Sequence, residues 1–513
     1  MTGGADEPEV TGGQPPAADP RDRLFTADAS DLDKRSAKGS AVLMVSQAVE
    51  FGTGVLSMMY LGRVLYPADF GLVAMGYSVL IPVLEVREAG LPAALIQRKN
   101  LNAAQGDAMF WLNARLQIGL SLLVALSAYP MSLIYGEPMV VPIILIFAGM
   151  LLLTGFSIMH RGLMRRRMRF STMAKIEGGS EVIGGVVACT AAFLGAGWWA
   201  LVIQQLTAQF LKAGGYWACA GWVPTTRAVR GCETVNEMRV YGRRVTFSRM
   251  IEQFLGKLDQ VLVGAQAGDT GLGLYNRAFK WSVQPTRQLF SPLQQVVVSG
   301  SSKLQDEAER FRACFVRGLG LTFTVVVPIM VWMMLGAGDF IRLLLGPKWN
   351  DAVPIFRVLA LGGLAGSTVY MTRWLYLAEG TTARQLRWSM IQAPLVVAAL
   401  LVGMQWGAIG VAWGFTGAMV LLAGPRVLYA TRGSRVTAVD YGLSALRPLT
   451  AGAMAVVPAG WLQFWVMAEV AFYWRLPAVW ACFVVFYLGF FMLLPGGMAQ
   501  ARVLWKGLRA VRG

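Results

Sequence analysis

From Ser40 onward the chain is a succession of apolar runs of about 20 residues, each long enough to cross roughly 30 Å of hydrocarbon as a helix. About fourteen are present, near 40–62, 70–97, 108–131, 139–160, 176–194, 198–221, 245–266, 272–300, 314–337, 352–378, 386–404, 407–430, 444–466 and 472–495. Lipid offers no hydrogen bonds, so each run must satisfy its own backbone, which only a helix or a closed barrel can do. Runs of this length predict an all-α integral membrane protein with about 14 transmembrane helices. Composition agrees: 15% of residues are charged, against about 25% in soluble domains.

The net charge of +17 is high enough to suggest a nucleic-acid partner. The basic residues, however, fall in short clusters between apolar runs, as in cytoplasmic membrane loops, so none is expected. Arg161, Arg165, Arg166, Arg167, Arg169 and Lys175 follow the fourth run, and Arg227, Arg230, Arg239, Arg243 and Arg244 the sixth. Lys303, Arg310 and Arg312 follow the eighth, Arg432 and Arg435 the twelfth, and the C-terminal tail adds Arg502, Lys506, Arg509 and Arg512. The connections YGEP (135–138), GAG (195–197), AGDTG (267–271) and VGMQWG (402–407) carry no Lys or Arg. Both termini are therefore expected in the cytoplasm, with very short external loops. The exceptions are Arg63, Arg342, Lys348 and Arg475.

Residues 1–39, rich in Gly, Pro, Asp and Ala, read as a disordered cytoplasmic tail, and no cleavable signal peptide is expected. A six-helix lobe is expected over 40–221, a basic cytoplasmic linker over 222–244 and a second six-helix lobe over 245–430. Two extra helices fill 431–495, and a basic tail closes the chain over 496–513. The reason for two lobes is an internal repeat. Glu50, Gly62, Gly71 and Leu72 coincide with Glu252, Gly264, Gly273 and Leu274 at one offset, and YGEPMVVPIILIFA (135–148) is echoed by LGPKWNDAVPIFRVLA (345–360). Six helices is an even number, so the second copy enters the membrane the same way up. Such parallel repeats are transporter architecture, with a substrate path between the halves.

Enzyme chemistry finds little support. His160 is the only histidine, so neither a Ser-His-Asp triad nor a multi-histidine metal site is available. His160 borders a basic segment and is read as an interfacial residue. The five cysteines are scattered without a CxxC, which indicates no metal and no disulfide framework. A membrane glycosyltransferase would need an external domain that the short connections do not provide.

Polar residues inside the spans are the informative ones. At about 100° per residue, Arg277, Lys280, Gln284, Arg287, Gln288, Ser291 and Gln295 share one arc of about 100°. A charge at mid-bilayer costs on the order of 3 kcal/mol, so such residues normally face protein or a water-filled cavity. Pro285 and Pro292 invite a bend in the same helix. The seventh run carries Glu252, Asp259 and Gln266 seven apart, with Ser248; Ser46, Glu50 and Ser57 take the corresponding places in the first. The second run adds Glu85, Arg87 and Glu88. These carboxylates read either as holders of a coupling proton or sodium ion, or as partners in ion pairs such as Asp259 with Lys280 or Arg87 with Glu88.

Several segments carry a family resemblance: GRVLYPADFGLVAM (62–75), GLPAALIQRKNL (90–101), LMRRRMRFSTMAKIE (163–177), LGAGWWALVIQQL (194–206), LDQVLVGAQAGDTGLGLYNRAF (258–279) and LLLGPKWNDAVPIFRVLALGGL (343–364). In order and spacing, from about Gly39 to about Tyr429, the chain resembles the Wzx-type polysaccharide flippases. These belong to the multidrug/oligosaccharidyl-lipid/polysaccharide exporter superfamily. The resemblance implies a V-shaped pair of six-helix lobes in the bacterial inner membrane and no cofactor beyond a coupling H+ or Na+. It also implies alternating-access flipping of undecaprenyl-diphosphate-linked oligosaccharide for surface polysaccharide. On that reading Arg87, Arg277, Lys280 and Arg287 hold the diphosphate head, Gln284 and Gln288 offer weak contacts to sugars, and Glu50, Glu252 and Asp259 are the coupling candidates. The last two helices would meet lipid or a partner from the glycan assembly machinery. The rival within the superfamily is a cation-coupled multidrug exporter, whose cationic substrates a basic stripe would repel.

Overall fold

The computed structural model describes residues 32–87, 101–225 and 256–498, together with Arg21 and Leu95. The side chains at 32–41, 43, 85–87, 284–289, 291, 292 and 296 lie outside the described set. The described chain is helical almost throughout. In the first half come α1 (Leu32–Val64), α2 (Pro67–Arg87), α3 (Ala103–Leu126), the short α4 (Ala128–Tyr135), α5 (Val140–Arg166), α6 (Phe170–Phe193) and α7 (Trp199–Ala220). The second half has α8 (Leu258–Ser282), α9 (Gln284–Ser302), α10 (Ala308–Leu335), the short α11 (Ala337–Leu344), α12 (Ala352–Ala378), α13 (Thr382–Gly403) and α14 (Gly407–Thr431). The additional pair is α15 (Ala438–Trp461) and α16 (Phe472–Leu493).

Local chemistry sets the ends and breaks. Asn102 and Gln105 cap α3 reciprocally, and Thr437 and Asp440 do the same for α15, satisfying amides that the first turn leaves open. Gly268, at φ 66° and ψ −164°, folds α8 into a hairpin in a conformation that a side chain would forbid. Across that hairpin the Tyr275 hydroxyl donates to Asp259 Oδ2 at 2.9 Å, and Asn276 Nδ2 donates to Gln260 Oε1 at 3.2 Å. The arms, 258–267 and 269–282, belong to the separate seventh and eighth spans read from the sequence. The second arm continues into α9 after an interruption at Val283, because Pro285 has no N–H for the Trp281 carbonyl. The interruption falls just ahead of Pro285, while α9 runs on through Pro292.

Among the described residues, nine helical stretches are long and apolar enough to cross a membrane. The long helices that fall short are α1, α7, α8 and α9. Glu50 on α1, Lys212 on α7 and Asp259 on α8 are among the polar residues that lower the hydropathy of these helices.

The connections without Lys or Arg all lie at one end of the bundle, and the described arginine-rich connections, after α5, α9 and α14, lie at the other, here the basic end. At the end opposite, the lobes meet about a pseudo-twofold axis. A Cβ on Gly71 would lie 1.6 Å from Asp269 O, and one on Gly273 would lie 1.9 Å from Pro67 O. Gly71 with Gly273, and Pro67 with Asp269, are equivalents at the repeat offset, so the two clashes are mirror copies. The same reciprocity governs a second pair: Gly62 packs on Leu345 of the other half, and Gly264 packs on Tyr135. Tyr135 and Leu345 are themselves equivalents in the second echo. Two-fold contacts have this self-complementary form, in which i meets j and j meets i. Three lobe-to-lobe hydrogen bonds add to the seal: Arg63 Nη2 to Leu343 O (2.9 Å), Lys348 Nζ to Val64 O (3.1 Å) and Trp349 Nε1 to Gly62 O (2.8 Å). The principal helix contacts between lobes are α2 with α8, α1 with α11 and α4 with α8. The molecule is thus two lobes hinged together at the end opposite the basic loops.

The additional pair packs on the second lobe. Tyr487 donates to Thr324 O at 3.0 Å and Tyr441 to Met371 O at 2.9 Å, while Arg312 makes two 2.8 Å bonds to Asp440. One expectation is corrected here. His160 is not interfacial: it is fully buried, lies 4.1 Å from the Trp217 ring and bonds Trp222 O at 3.1 Å. The segment after α7 folds back over it and removes it from the surface.

Candidate functional site

The first lobe contributes a polar cluster on α1, α5, α6 and α7. Glu177 and Glu181 sit one turn apart on α6, and Lys212 and Tyr216 sit one turn apart on the facing α7, so the pairs meet side by side. Lys212 Nζ lies 2.5 Å from Glu181 Oε1, Arg161 Nε lies 3.0 Å from Glu177 Oε1, and the Tyr216 hydroxyl makes a short bond to the same oxygen. Glu50, half-buried on α1, accepts from Ser46 Oγ at 3.3 Å and lies within electrostatic reach of Lys212, Glu177 and Glu181. Glu50, Arg161, Glu177, Lys212 and Tyr216 line a cavity of about 320 Å³. Three carboxylates therefore share two cations.

The second lobe is different in kind. Arg277 extends from α8 below the Gly71–Gly273 contact, with its guanidinium 4.6 Å from the centre of the Phe70 ring of α2. Its Nε is buried with no hydrogen-bond partner, as is the Tyr77 hydroxyl, which lies within electrostatic reach of it. Lys280, one turn further, is exposed and faces the first lobe, where it feels both Arg277 and Glu181. Glu181 is already engaged by Lys212. Arg426 of α14, 1% exposed, bonds only neutral groups: Nη1 donates to Thr368 Oγ1 at 2.8 Å and Nη2 to Gln392 Oε1 at 3.2 Å. Among the described residues no carboxylate pairs with Arg277, Lys280 or Arg426.

The sequence-derived candidates thus divide. Glu50 lines the first-lobe cavity, while Arg277 packs on Phe70 and Lys280 lies within electrostatic reach of Glu181, both across the lobe contact. Asp259 is 5% exposed and turned into the α8 hairpin toward Tyr275, on the far arm from the Lys280 stripe. Glu252 lies outside the described residues. Arg87, Gln284, Arg287 and Gln288 have their backbone in α2 and α9, but their side chains are outside the described set. Arg161, Glu177, Glu181, Lys212, Tyr216 and Arg426 were not singled out from sequence. The signal for four of them was available: two acids spaced four apart in an otherwise apolar helix, and a Lys–Tyr pair with the same spacing in the next.

Comparison with known proteins agrees with this architecture. Residues 60–354 match the model of the polysaccharide biosynthesis protein family. The chain is 23% identical over 395 residues to the lipopolysaccharide biosynthesis protein WzxC of Escherichia coli K12, covering 75% of this chain and 78% of that one. It is 26% identical over 331 residues to the teichuronic acid biosynthesis protein TuaB of Bacillus subtilis, covering 64% and 68%. Among solved structures, the lipid II flippase MurJ in an inward closed conformation superposes with a TM-score of 0.66 at 12% identity, covering 89% of this chain and 98% of that one. A multidrug transporter of the same superfamily in an inward-facing conformation gives 0.57. The two-lobed bundle, its repeat and the match over more than half its length make this chain a member of the polysaccharide biosynthesis protein family.

Proposed function

We propose that the protein moves an undecaprenyl-diphosphate-linked oligosaccharide from the cytoplasmic to the outer face of the bacterial inner membrane, with the basic end in the cytoplasm. The observation that carries this reading is that Arg277 and Lys280, beneath the lobe contact, have no carboxylate partner among the described residues. The buried Arg277 Nε has no acceptor among the described residues, which is costly, and a diphosphate brought in by substrate would supply an acceptor and a counter-charge. The guanidinium suits phosphate geometry and stays protonated. The lobes meet at the end opposite the basic loops, which fits a substrate entering between them from the cytoplasmic side. Relatives named for lipopolysaccharide and teichuronic acid synthesis, and the fold shared with a lipid II flippase, support the same direction.

Coupling is assigned to the first lobe. Among the described residues its cluster has one carboxylate more than it has cations, and Glu50 is the one that makes no ion pair there. Binding a proton or sodium ion there would neutralise the cluster and let α1 shift relative to α6 and α7. Arg87, Gln284, Arg287 and Gln288 are proposed to extend the substrate path, and Glu252 and Asp259 to tune the second lobe. The additional helices are proposed to meet lipid or glycan assembly proteins.

The test is depletion of the protein in its own host, with lipid-diphosphate-linked oligosaccharide and surface polysaccharide quantified together. Accumulated lipid-linked units with lost surface glycan are expected. Unchanged lipid-linked pools with raised sensitivity to cationic drugs would move the assignment to a drug exporter.

A further inference from the structure

Arg342 and Arg475, two of the four cations that break the charge rule at the external end, lie together with Arg357 around one pocket of about 690 Å³. It opens between the second lobe and the additional pair, away from the first-lobe cavity. Three guanidinium groups face one carboxylate there. Arg475 is committed: it clamps Asp339 in a bidentate pair and donates to Ala468 O at 2.9 Å, tying α16 to α11. Arg342 has one 3.3 Å contact, to Asn350 Oδ1, and Arg357 has no partner among the described residues. On the opposite wall Gln463 is 6% exposed. Its Nε2 donates to Leu335 O at 3.3 Å, which leaves its buried Oε1 with no donor. The pocket therefore presents two cations without a carboxylate partner among the described residues, beside one unused acceptor.

The surroundings say what fits. Trp461, Phe464, Trp465, Tyr473 and Trp474 are exposed around the same α15–α16 turn. Aromatic side chains of this kind mark headgroup depth. A ligand at that depth with an anion for Arg342 and Arg357 and a hydroxyl for Gln463 is a lipid headgroup of phosphoglycerol type.

We propose that this pocket binds the phosphodiester of an anionic membrane lipid, with Arg342 and Arg357 on the phosphate and Gln463 Oε1 accepting from a headgroup hydroxyl. The site has a structural consequence. The α11 segment that forms its wall also supplies Leu343 O to Arg63 and leads into Leu345, against which Gly62 packs. A bound headgroup braces the helix that helps to seal the lobes.

The experiment uses the purified full chain. Native mass spectrometry with dioctanoyl phosphatidylglycerol should show a bound lipid, with dioctanoyl phosphatidylcholine retained more weakly. Retention of phosphatidylglycerol should fall by roughly tenfold or more in an R342Q/R357Q variant, the effect of losing charge-assisted bonds. Equal retention in that variant overturns the site. Glycerol 1-phosphate binding there as tightly as the lipid would overturn the lipid source in favour of a soluble phosphate. Independently of any variant, wild-type protein in phosphatidylglycerol nanodiscs should exchange the 337–344 amides more slowly than in phosphatidylcholine nanodiscs, and equal exchange would refute the bracing.

Discussion

The two lobes are alike in packing and unlike in charge. At their junction the resemblance extends to single atoms: a Cβ on Gly71 meets Asp269 O as a Cβ on Gly273 meets Pro67 O, at 1.6 and 1.9 Å. In the interior it vanishes. The first lobe matches Arg161 to Glu177 and Lys212 to Glu181, whereas the second holds Arg277 against a ring and Arg426 against an amide and a hydroxyl, with Lys280 exposed. Symmetric packing builds a contact that can close and open about one axis. Asymmetric charge decides what that contact encloses. The first lobe pairs most of its interior charges within itself, while Arg277, Lys280 and Arg426 of the second have no carboxylate partner among the described residues.

The sharpest way to break this contrast is to reverse a charge on the unpaired side. Lys280→Glu should lower surface polysaccharide on the order of a hundredfold, since it replaces a phosphate-compatible cation by a repelling anion. Lys280→Arg should retain export. Both variants should insert normally, because Lys280 is exposed and bonds nothing among the described residues. Wild-type export by the Glu variant would show that the unpaired charge is incidental.

The symmetric half of the comparison makes a prediction about equality. Leucine at position 71 or 273 cannot be accommodated where the other helix's backbone already stands. Overpacking of this kind costs about 1–3 kcal/mol, enough for a population shift of roughly tenfold. Ser78, 1% exposed and 2.7 Å from the Tyr135 hydroxyl, reports on the seal from within. Labelling of a Ser78→Cys reporter by an impermeant maleimide should rise about tenfold in both G71L and G273L. Markedly unequal responses would mean that the axis seen in the packing does not govern the opening.

Next comes the carboxylate that the first lobe leaves over. Under the coupling assignment, Glu50→Gln should reduce export several-fold and flatten its response to an imposed proton or sodium gradient, leaving the Lys280 phenotype unchanged when the two are combined with a neutral gradient. An E50Q variant with a full gradient response would transfer coupling elsewhere, with Asp259 and Glu252 the next to test.

Much of this was legible in the sequence because the lipid solvent leaves few alternatives. The spans followed from length and polarity, and the lobe axis from the offset that joins Gly71 to Gly273. Arg277 and Lys280 were legible because a cation in an apolar run must face protein or water. The acid–base lattice of Arg161, Glu177, Glu181 and Lys212 was not singled out, because Arg161 blends into a basic loop and pairing between helices depends on tertiary rotation. Arg426 was equally hidden: one arginine near a span's end reads as an anchor, and only the fold turns it inward onto Thr368 and Gln392. His160 failed for the opposite reason, since a later segment covers it.

The smallest effect tests whether the first lobe is balanced by its own pairs at all. Arg161 and Glu177 have 28% and 17% of their side-chain surface exposed, so their pairing is partly screened. A double-mutant cycle of R161Q and E177Q, followed by thermal unfolding of the detergent-solubilised protein, should return a coupling of roughly 1–2 kcal/mol. Tyr216 shares the same Glu177 oxygen, so the E177Q single variant should lose more than R161Q. A coupling near zero would mean that water or another partner already compensates these charges. The first lobe would then be as free to meet substrate as the second, and the division into a self-neutral half and an anion-seeking half would fall. A coupling in the expected range, with no comparable partner for Lys280, would leave the diphosphate as the missing counter-charge of the second lobe alone.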